Sequence, residues 1–539
     1  MNYNQNSNPY FNANSPQNPN FGFNPNHSQP YNIPTSKKSH FSGLDTLFAW
    51  LSIPVGFLFF FTLPITRNTL GGALMLWSLF VFGAVYLLCS GVKIPIASWV
   101  LGAIGMLLSV GLITGANRVL QILLMLAVLA LFFSFLYTAC RLHGPRITDD
   151  TCFGHLIKAI FVIPSVSIPS LFLALPIRSA GNKGKRIAKT VGWIFAGLGV
   201  AVIPTLIVVM ILSYDAQFEQ LLARIFSFDL KDIQSLMVDL FFGFGVTIAL
   251  FGAMFGVKSR RTHSDDTAAS KEVKEGTHVL PQALLCAAIT PVLLVYILFF
   301  ISQWDYYLSA FTGRLPETLT YAAYARNGFF ELCWVSAINA LLLLLFNLLI
   351  KRKEGKAPIL QKIYSIVISV FTLILIATAL SKLFLYIDFY GLTQKRVYAA
   401  WLILLLSVIF SLVLVKQLFP RMKLIFSILA VCVVFFAMLT LPNVDGMIAD
   451  YNVDAYLSGE LAEVDVDSIR SYGVSSVPAL VELRDALSEK SDLDQDEQEL
   501  LLECNNALKS ISRELGERPD HIFAFHFPSW RAERLIQNS

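Results

Sequence analysis

The chain has 539 residues, of which 55% are hydrophobic and only 14% charged, with a mean hydropathy of +0.61. A soluble domain carries about a quarter charged residues, so this balance excludes an ordinary water-soluble fold. Repeated apolar runs of about 18 residues or more place the chain in the bilayer class instead. The net charge of +4 hides a split: 20 acidic and 8 basic residues from Asn443 onward, against 17 acidic and 33 basic before it. The basic excess lies in short loops between apolar runs, where it reports membrane orientation rather than a nucleic-acid patch, so no nucleic-acid partner is expected.

From Met1 to Ser36 there is no charged residue. Asn, Pro, Gln and Ser dominate, with Tyr3, Tyr10, Phe11, Phe21, Phe23 and Tyr31 interspersed. Such a stretch cannot bury enough apolar surface to offset its ordering entropy, so residues 1–40 are expected to be a disordered cytoplasmic tail. No basic residue precedes the first apolar run before Lys37 and Lys38, and the run is too long for a secretory signal.

About eleven spans follow, at roughly 43–65, 70–91, 94–114, 119–140, 190–213, 237–257, 279–302, 328–350, 360–387, 397–415 and 422–442. The expected fold class is therefore all-α: a polytopic transmembrane helical bundle with a small helical C-terminal extramembrane region. Pro54, Pro204 and Pro291 fall inside spans, where local kinks are expected. The first membrane half is 41–257, the second 279–442, and the polar stretch 258–278 reads as a cytoplasmic linker between them.

Residues 155–176 are ambiguous: apolar, but interrupted by Lys158, Pro164 and Pro169. If this segment crosses, the cluster Arg178, Lys183, Lys185, Arg186 and Lys189 lies outside. If it is re-entrant or interfacial, the cluster joins Arg141 and Arg146 inside, as positive-inside counting favours. With that choice the N-terminus is inside and the C-terminus outside, and Lys395 and Arg396 are the exceptions, on the outer side. The expected location is a bacterial cytoplasmic membrane.

After Asn443 the pattern changes to a soluble helical region, 443–539. Pro478 suits a first helical turn ahead of ALVELRDALSEK. A second helix, about Asp494 to Leu515, opens on acidic residues and carries Leu501, Cys504, Leu508, Ile511 and Leu515 as one apolar stripe. The aromatic end HIFAFHFPSWRAERL either packs on that core or docks at the membrane surface.

Catalytic signatures are sparse. The eight histidines form no HExxH and no Cys/His cluster, no GxSxG occurs, and the seven cysteines are scattered. No catalytic residue, metal or cofactor is therefore expected, and an enzyme is the least favoured reading. The informative feature is charge at membrane depth, which is costly and usually paired or turned toward a cavity. Glu331 lies about one turn inside the outer end of its span, and Lys382 sits at a similar depth on the next. Joined by the short turn KRKEGK, these spans should be antiparallel neighbours. Thr378, Lys382 and Tyr386 share one helical face at i, i+4 spacing, with Ser336 and Asn339 on the facing helix. Tyr324 and Arg326 form part of an aromatic and basic rim above. One reading is a ligand or ion-pair pocket of Glu331, Lys382, Arg326, Asn339, Tyr324 and Tyr386. The plainer one has Lys382 snorkelling to the interface, Glu331 pairing locally with Arg326, and Asn339 gluing helices.

These same residues carry a family resemblance. Leu315-Pro316-Glu317, Tyr321-Ala322-Ala323-Tyr324-Ala325-Arg326, Gly328-Phe329-Phe330-Glu331-Leu332, Tyr386-Ile387, Tyr390-Gly391-Leu392-Thr393 and Arg396 resemble the bacterial multi-pass proteins catalogued as domains of unknown function forty-one fifty-three and forty-one seventy-three. The resemblance extends from about Leu280 into 443–483. It implies a bacterial cytoplasmic-membrane protein and no particular activity. Three functional expectations stand, in order: a sensory, regulatory or scaffold component with membrane lipids and an envelope or signalling protein as partners; a transporter or lipid-handling protein using the Glu331 and Lys382 face; and a membrane enzyme.

Overall fold

The computed structural model describes residues 41–66, 69–142, 152–175, 230–261, 282–302, 334–343, 359–518 and 522–538. The tail 1–40, the expected span 190–213, most of the linker 258–278, and Tyr324, Arg326 and Glu331 lie outside the described residues.

Every regular element among the described residues is helical. Long apolar helices can satisfy their backbone groups without water, which is why this composition resolves into helices. The first group is α1 (Gly43–Thr66), α2 (Leu70–Cys89), α3 (Ile96–Thr114) and α4 (Arg118–Ala139). A broken segment, α5 (Cys152–Val166) and α6 (Pro169–Ala174), precedes α7 (Leu230–Arg261). The second group is α8 (Gln282–Ser302), α9 (Trp334–Leu343), α10 (Ile359–Tyr390), α11 (Gln394–Leu418) and α12 (Leu424–Thr440). The C-terminal helices are α13 (Val444–Leu457), α14 (Val466–Arg470), α15 (Val477–Glu489), α16 (Gln495–Gly516) and α17 (Phe527–Asn538).

Five of these, α2, α3, α4, α10 and α11, are long and apolar enough to cross a membrane. The count becomes six if α12 and α13, which meet at 58°, form one broken span. The expectation of about eleven therefore reduces to five or six among the described residues. The bend falls at Leu441–Asn443, where Pro442 interrupts the helix and acidic residues replace apolar ones.

Three apolar cores result. One joins α1 to α7 with flanking residues of α12. Within it α1 and α7 run antiparallel, and Gly56 presses on Thr247 so closely that a Cβ there would lie 2.7 Å from the Thr247 Cα. A second core joins α8 to α11. Helix α12 bridges the two: Val433 and Phe436 pack on the first core, while the Trp401 indole of α11 donates to the Phe435 carbonyl at 2.7 Å. The third core belongs to α13–α17 but also takes in Ala116, Leu392 and Val397 from the bundle.

The span ends sort into two sides. Leu70, Gly115, Leu392 and Asn443 all meet the C-terminal helices. On the other side, Asp45 of α1 accepts from the Tyr86 hydroxyl at 2.9 Å and pairs with Lys258 of α7. The α5–α6 segment touches this other side at both ends. His155 is 2.9 Å from the Tyr137 hydroxyl near the end of α4, and the Ala174 carbonyl accepts from Thr46 in the first turn of α1 at 2.9 Å.

Candidate functional site

Besides the Asp45, Tyr86 and Lys258 cluster, two polar groupings stand out among the described residues: a joint between the bundle and the C-terminal helices, and a buried stripe along α10.

The joint begins where α10 ends. Gly391 adopts a left-handed φ of +70°, and a Cβ there would lie 2.4 Å from the Asn452 side-chain oxygen. Glycine is therefore required both by conformation and by the close approach of α13. The Asn452 amide then grips the Leu392 backbone twice, accepting from its N–H at 2.6 Å and donating to its carbonyl at 2.9 Å. Arg396 turns back from the first turn of α11 to donate to the Tyr390 and Gly391 carbonyls, groups that the end of α10 leaves without intrahelical partners. Its guanidinium also lies 4.1 Å from the centre of the Tyr386 ring.

One helix further on, the Asn443 side chain caps α13, accepting from Gly446 N–H and from the Ser475 hydroxyl at 2.9 Å. Asp445 is buried and accepts from Gln394 Nε2 at 2.8 Å. Burial raises its pKa above the usual carboxylate value, partly offset by hydrogen bonds from Gln394 and Asn117.

The far end of the chain closes the joint. The Phe525 carbonyl accepts from Leu70 N–H at 2.9 Å, and His526 Nε2 donates to the Gly115 carbonyl at 2.9 Å. His526 Nδ1 then accepts from Ser529 Oγ at 2.8 Å, and Ser529 in turn accepts from Arg518. That arrangement requires a neutral imidazole. Desolvation lowers its pKa to about 4, with the nearby Arg518 charge acting in the same direction.

The stripe lies on α10. Gln361, Ser365, Ser369, Thr372, Thr378 and Lys382 are all buried, while Ile363, Ile366, Val367, Val370 and Ile374 are exposed. From Gln361 to Lys382 the helix rises about 31 Å, the thickness of a hydrocarbon core. At its middle, Asn339 of α9 accepts from the Tyr296 hydroxyl of α8 at 2.7 Å and donates to Thr372 at 2.9 Å. Nearer Gln361, Thr290 and Tyr364 share a hydrogen bond of 2.6 Å. The Ser365 and Ser369 hydroxyls have no hydrogen-bond partner among the described residues.

The expected site residues therefore separate. Lys382 is 2% exposed, enclosed by protein rather than extended along its surface. Tyr386, one turn on, belongs to the joint. Asn339 is fully buried at the level of Thr372, about 15 Å of helix away from Lys382. Sequence reading did not place Asn452, Asp445 or His526 at the joint, nor join Asp45, Tyr86 and Lys258 in one cluster. For Asp45 a signal existed: Ser42 and Asp45 form a capping pair at i, i+3, with Ser42 N–H donating to Asp45 at 2.9 Å.

Apolar spans, a buried polar stripe and a water-facing helical domain define an α-helical membrane protein of several spans. Residues 101–483 match the family described as Domain of unknown function (DUF4153), and the chain belongs to that family. The match speaks to the forty-one fifty-three half of the resemblance and reaches well before Leu280, into α3. It also contains the part of the joint from Tyr386 to Ser475, while Leu70 and the closing segment with Phe525 and His526 lie outside it. No curated protein and no solved structure matches the chain.

Proposed function

We propose that the chain is a sensory, regulatory or scaffold component of the bacterial cell envelope. In this reading the C-terminal helices form the extracytoplasmic receiving surface and the joint couples them to the membrane helices. The observation that carries it is the joint itself: Asn452, Gly391, Arg396, Asn443 and Asp445 lock a water-facing domain onto the ends of spans, where a passive tail would need only a flexible linker.

Orientation rests on charge. Lys93, Arg141, Lys258, Arg260, Lys416, Arg421 and Lys423 lie at the end away from the C-terminal helices, while Arg118, Lys395 and Arg396 lie at theirs. This is the positive-inside pattern for an extracytoplasmic C-terminus, and Arg396 has a local reason for its place. The α5–α6 segment, with both ends at the basic side, is read as interfacial or re-entrant on the cytoplasmic face. A phosphatase fused after Pro442 should be active in cells; an inactive fusion with an active cytoplasmic reporter at the same position reverses the orientation. Crosslinking in cells from the exposed face of α16 should give a discrete envelope-protein adduct that Asn452→Ala diminishes. An adduct indifferent to Asn452→Ala removes the coupling.

A second reading, transport or lipid handling, is favoured by the buried stripe ending at Lys382. It predicts solute flux or lipid exchange by the purified chain in proteoliposomes, lost on Lys382→Met.

A further inference from the structure

The C-terminal segment has two faces. On α17, Pro528, Ser529 and Ala532 are buried in the domain, while Phe527, Trp530 and Arg534 point outward at i, i+3 and i+7. Phe527 and Trp530 rings lie 5.8 Å apart, and the Arg534 guanidinium stacks 4.5 Å from the Trp530 ring. Just before α17, Ile522 is 73% exposed and Phe523 54%, with Phe525 also exposed. Five large apolar side chains thus stand on the surface of a domain that is otherwise strongly acidic.

Their level is fixed by two hydrogen bonds to the bundle, one from backbone to backbone and one from a side chain. Phe525 O accepts from Leu70 N–H, the first residue of the apolar span α2, and His526 bonds Gly115, three residues ahead of α4. The stretch 522–526 therefore lies across the starts of two spans, at the boundary between hydrocarbon and water. At that level aromatic side chains bury their rings among acyl carbonyls and glycerol while keeping polar atoms wet. Arg534, held over Trp530, is placed to meet a lipid phosphate.

We propose that Ile522, Phe523, Phe525, Phe527 and Trp530 form an interfacial anchor that seats the C-terminal domain on the headgroup region of the phospholipid bilayer. The occupant is the lipid surface rather than a protein, because the patch is tied to the starts of the apolar spans α2 and α4 through Leu70 and Gly115. The domain's net negative charge gives it no long-range attraction to anionic lipid, so the anchoring is apolar and insensitive to salt. It holds whichever side the C-terminus occupies and is independent of the sensory reading.

The test uses the full chain in lipid nanodiscs, with an environment-sensitive fluorescent amino acid replacing Phe523 or Trp530, and Ser488 as a control on the exposed end of α15. Emission from 523 and 530 should be blue-shifted relative to 488, and quenched by lipids spin-labelled near the headgroup but not near the chain end, at low and high salt alike. Emission from 523 and 530 matching 488, or no quenching by either lipid, overturns the anchor. Shielding that appears equally in detergent and fades on dilution assigns the patch to a second copy of the chain and also overturns it. Phe523→Ser with Trp530→Ser, both exposed and so compatible with folding, should make 522–538 more sensitive to protease in nanodiscs; unchanged sensitivity counts against the proposal.

Discussion

Helices α10 and α16 are both long, but α16 buries an almost wholly apolar stripe while α10 buries polar and apolar side chains together. In α16 the inward stripe is Cys504, Ala507, Leu508, Ile511 and Leu515, the outward face is charged, and Asp494 with Glu497 closes a capping box at its start. In α10 the buried face interleaves Gln361, Ser365, Ser369, Thr372, Thr378 and Lys382 with Ile368, Leu375, Ile376, Ala379, Leu383 and Ile387, and much of the exposed face is Ile and Val. Water drives the first arrangement by penalising exposed apolar area. Lipid removes that penalty, so the interior of α10 carries small and hydrogen-bonding side chains beside its apolar ones. The joint must satisfy both regimes within a few residues, which explains its density of side-chain to backbone bonds.

That contrast can be broken by substitution. Leu480→Ala, in the water-facing core, should destabilise the C-terminal domain by about 2–5 kcal/mol. The matching change on the exposed face of α10, Val370→Ala, should cost no more than about 0.5 kcal/mol. Thermal unfolding followed by protease sensitivity of 444–539 separates them, and equal effects would erase the distinction.

Acid should loosen the joint through His526. Its native pKa of about 4 lies below the ordinary value, so the docked state binds fewer protons than the undocked one. The contribution is complete above about pH 6.5 and is lost as pH falls toward 4, by about 3 kcal/mol at most. Protease sensitivity of the 522–538 segment should rise over that window, and His526→Gln should flatten the profile.

Gly391→Ala should cost about 1–3 kcal/mol, because it strains a left-handed residue and pushes on Asn452. Proteolysis between α10 and α11 reads it, and pairing it with Asn452→Ala should be less than additive. Asn339→Ala leaves Tyr296 and Thr372 to find other partners and should cost about 1 kcal/mol in detergent unfolding.

Much of the helix layout was legible because apolar length is a local property. The runs expected at 70–91, 94–114 and 119–140 fall on α2, α3 and α4. The acidic opening of α16 and the proline opening α15 were readable for the same reason. What the sequence could not give was pairing across distance. Asp45 and Lys258 are 213 residues apart, and Gly115 and His526 are 411 apart. The motif around Gly391 was visible as a family signature before it had a physical reason. Its reason is α13, some 60 residues later, whose Asn452 needs the space a side chain would fill. Lys382 was singled out for its depth, whereas its enclosure by protein depends on neighbours that depth alone does not name.

Hydrogen exchange of the full chain in nanodiscs tests the coupled joint most directly. The account predicts that backbone amides of Leu392 and of Gly446–Asn452 exchange as slowly as the core of α15, and that Asn452→Ala speeds both stretches together. Fast exchange at Leu392 and Gly446–Asn452 beside a protected α15 would show a domain tethered by a loose linker, and would contradict it.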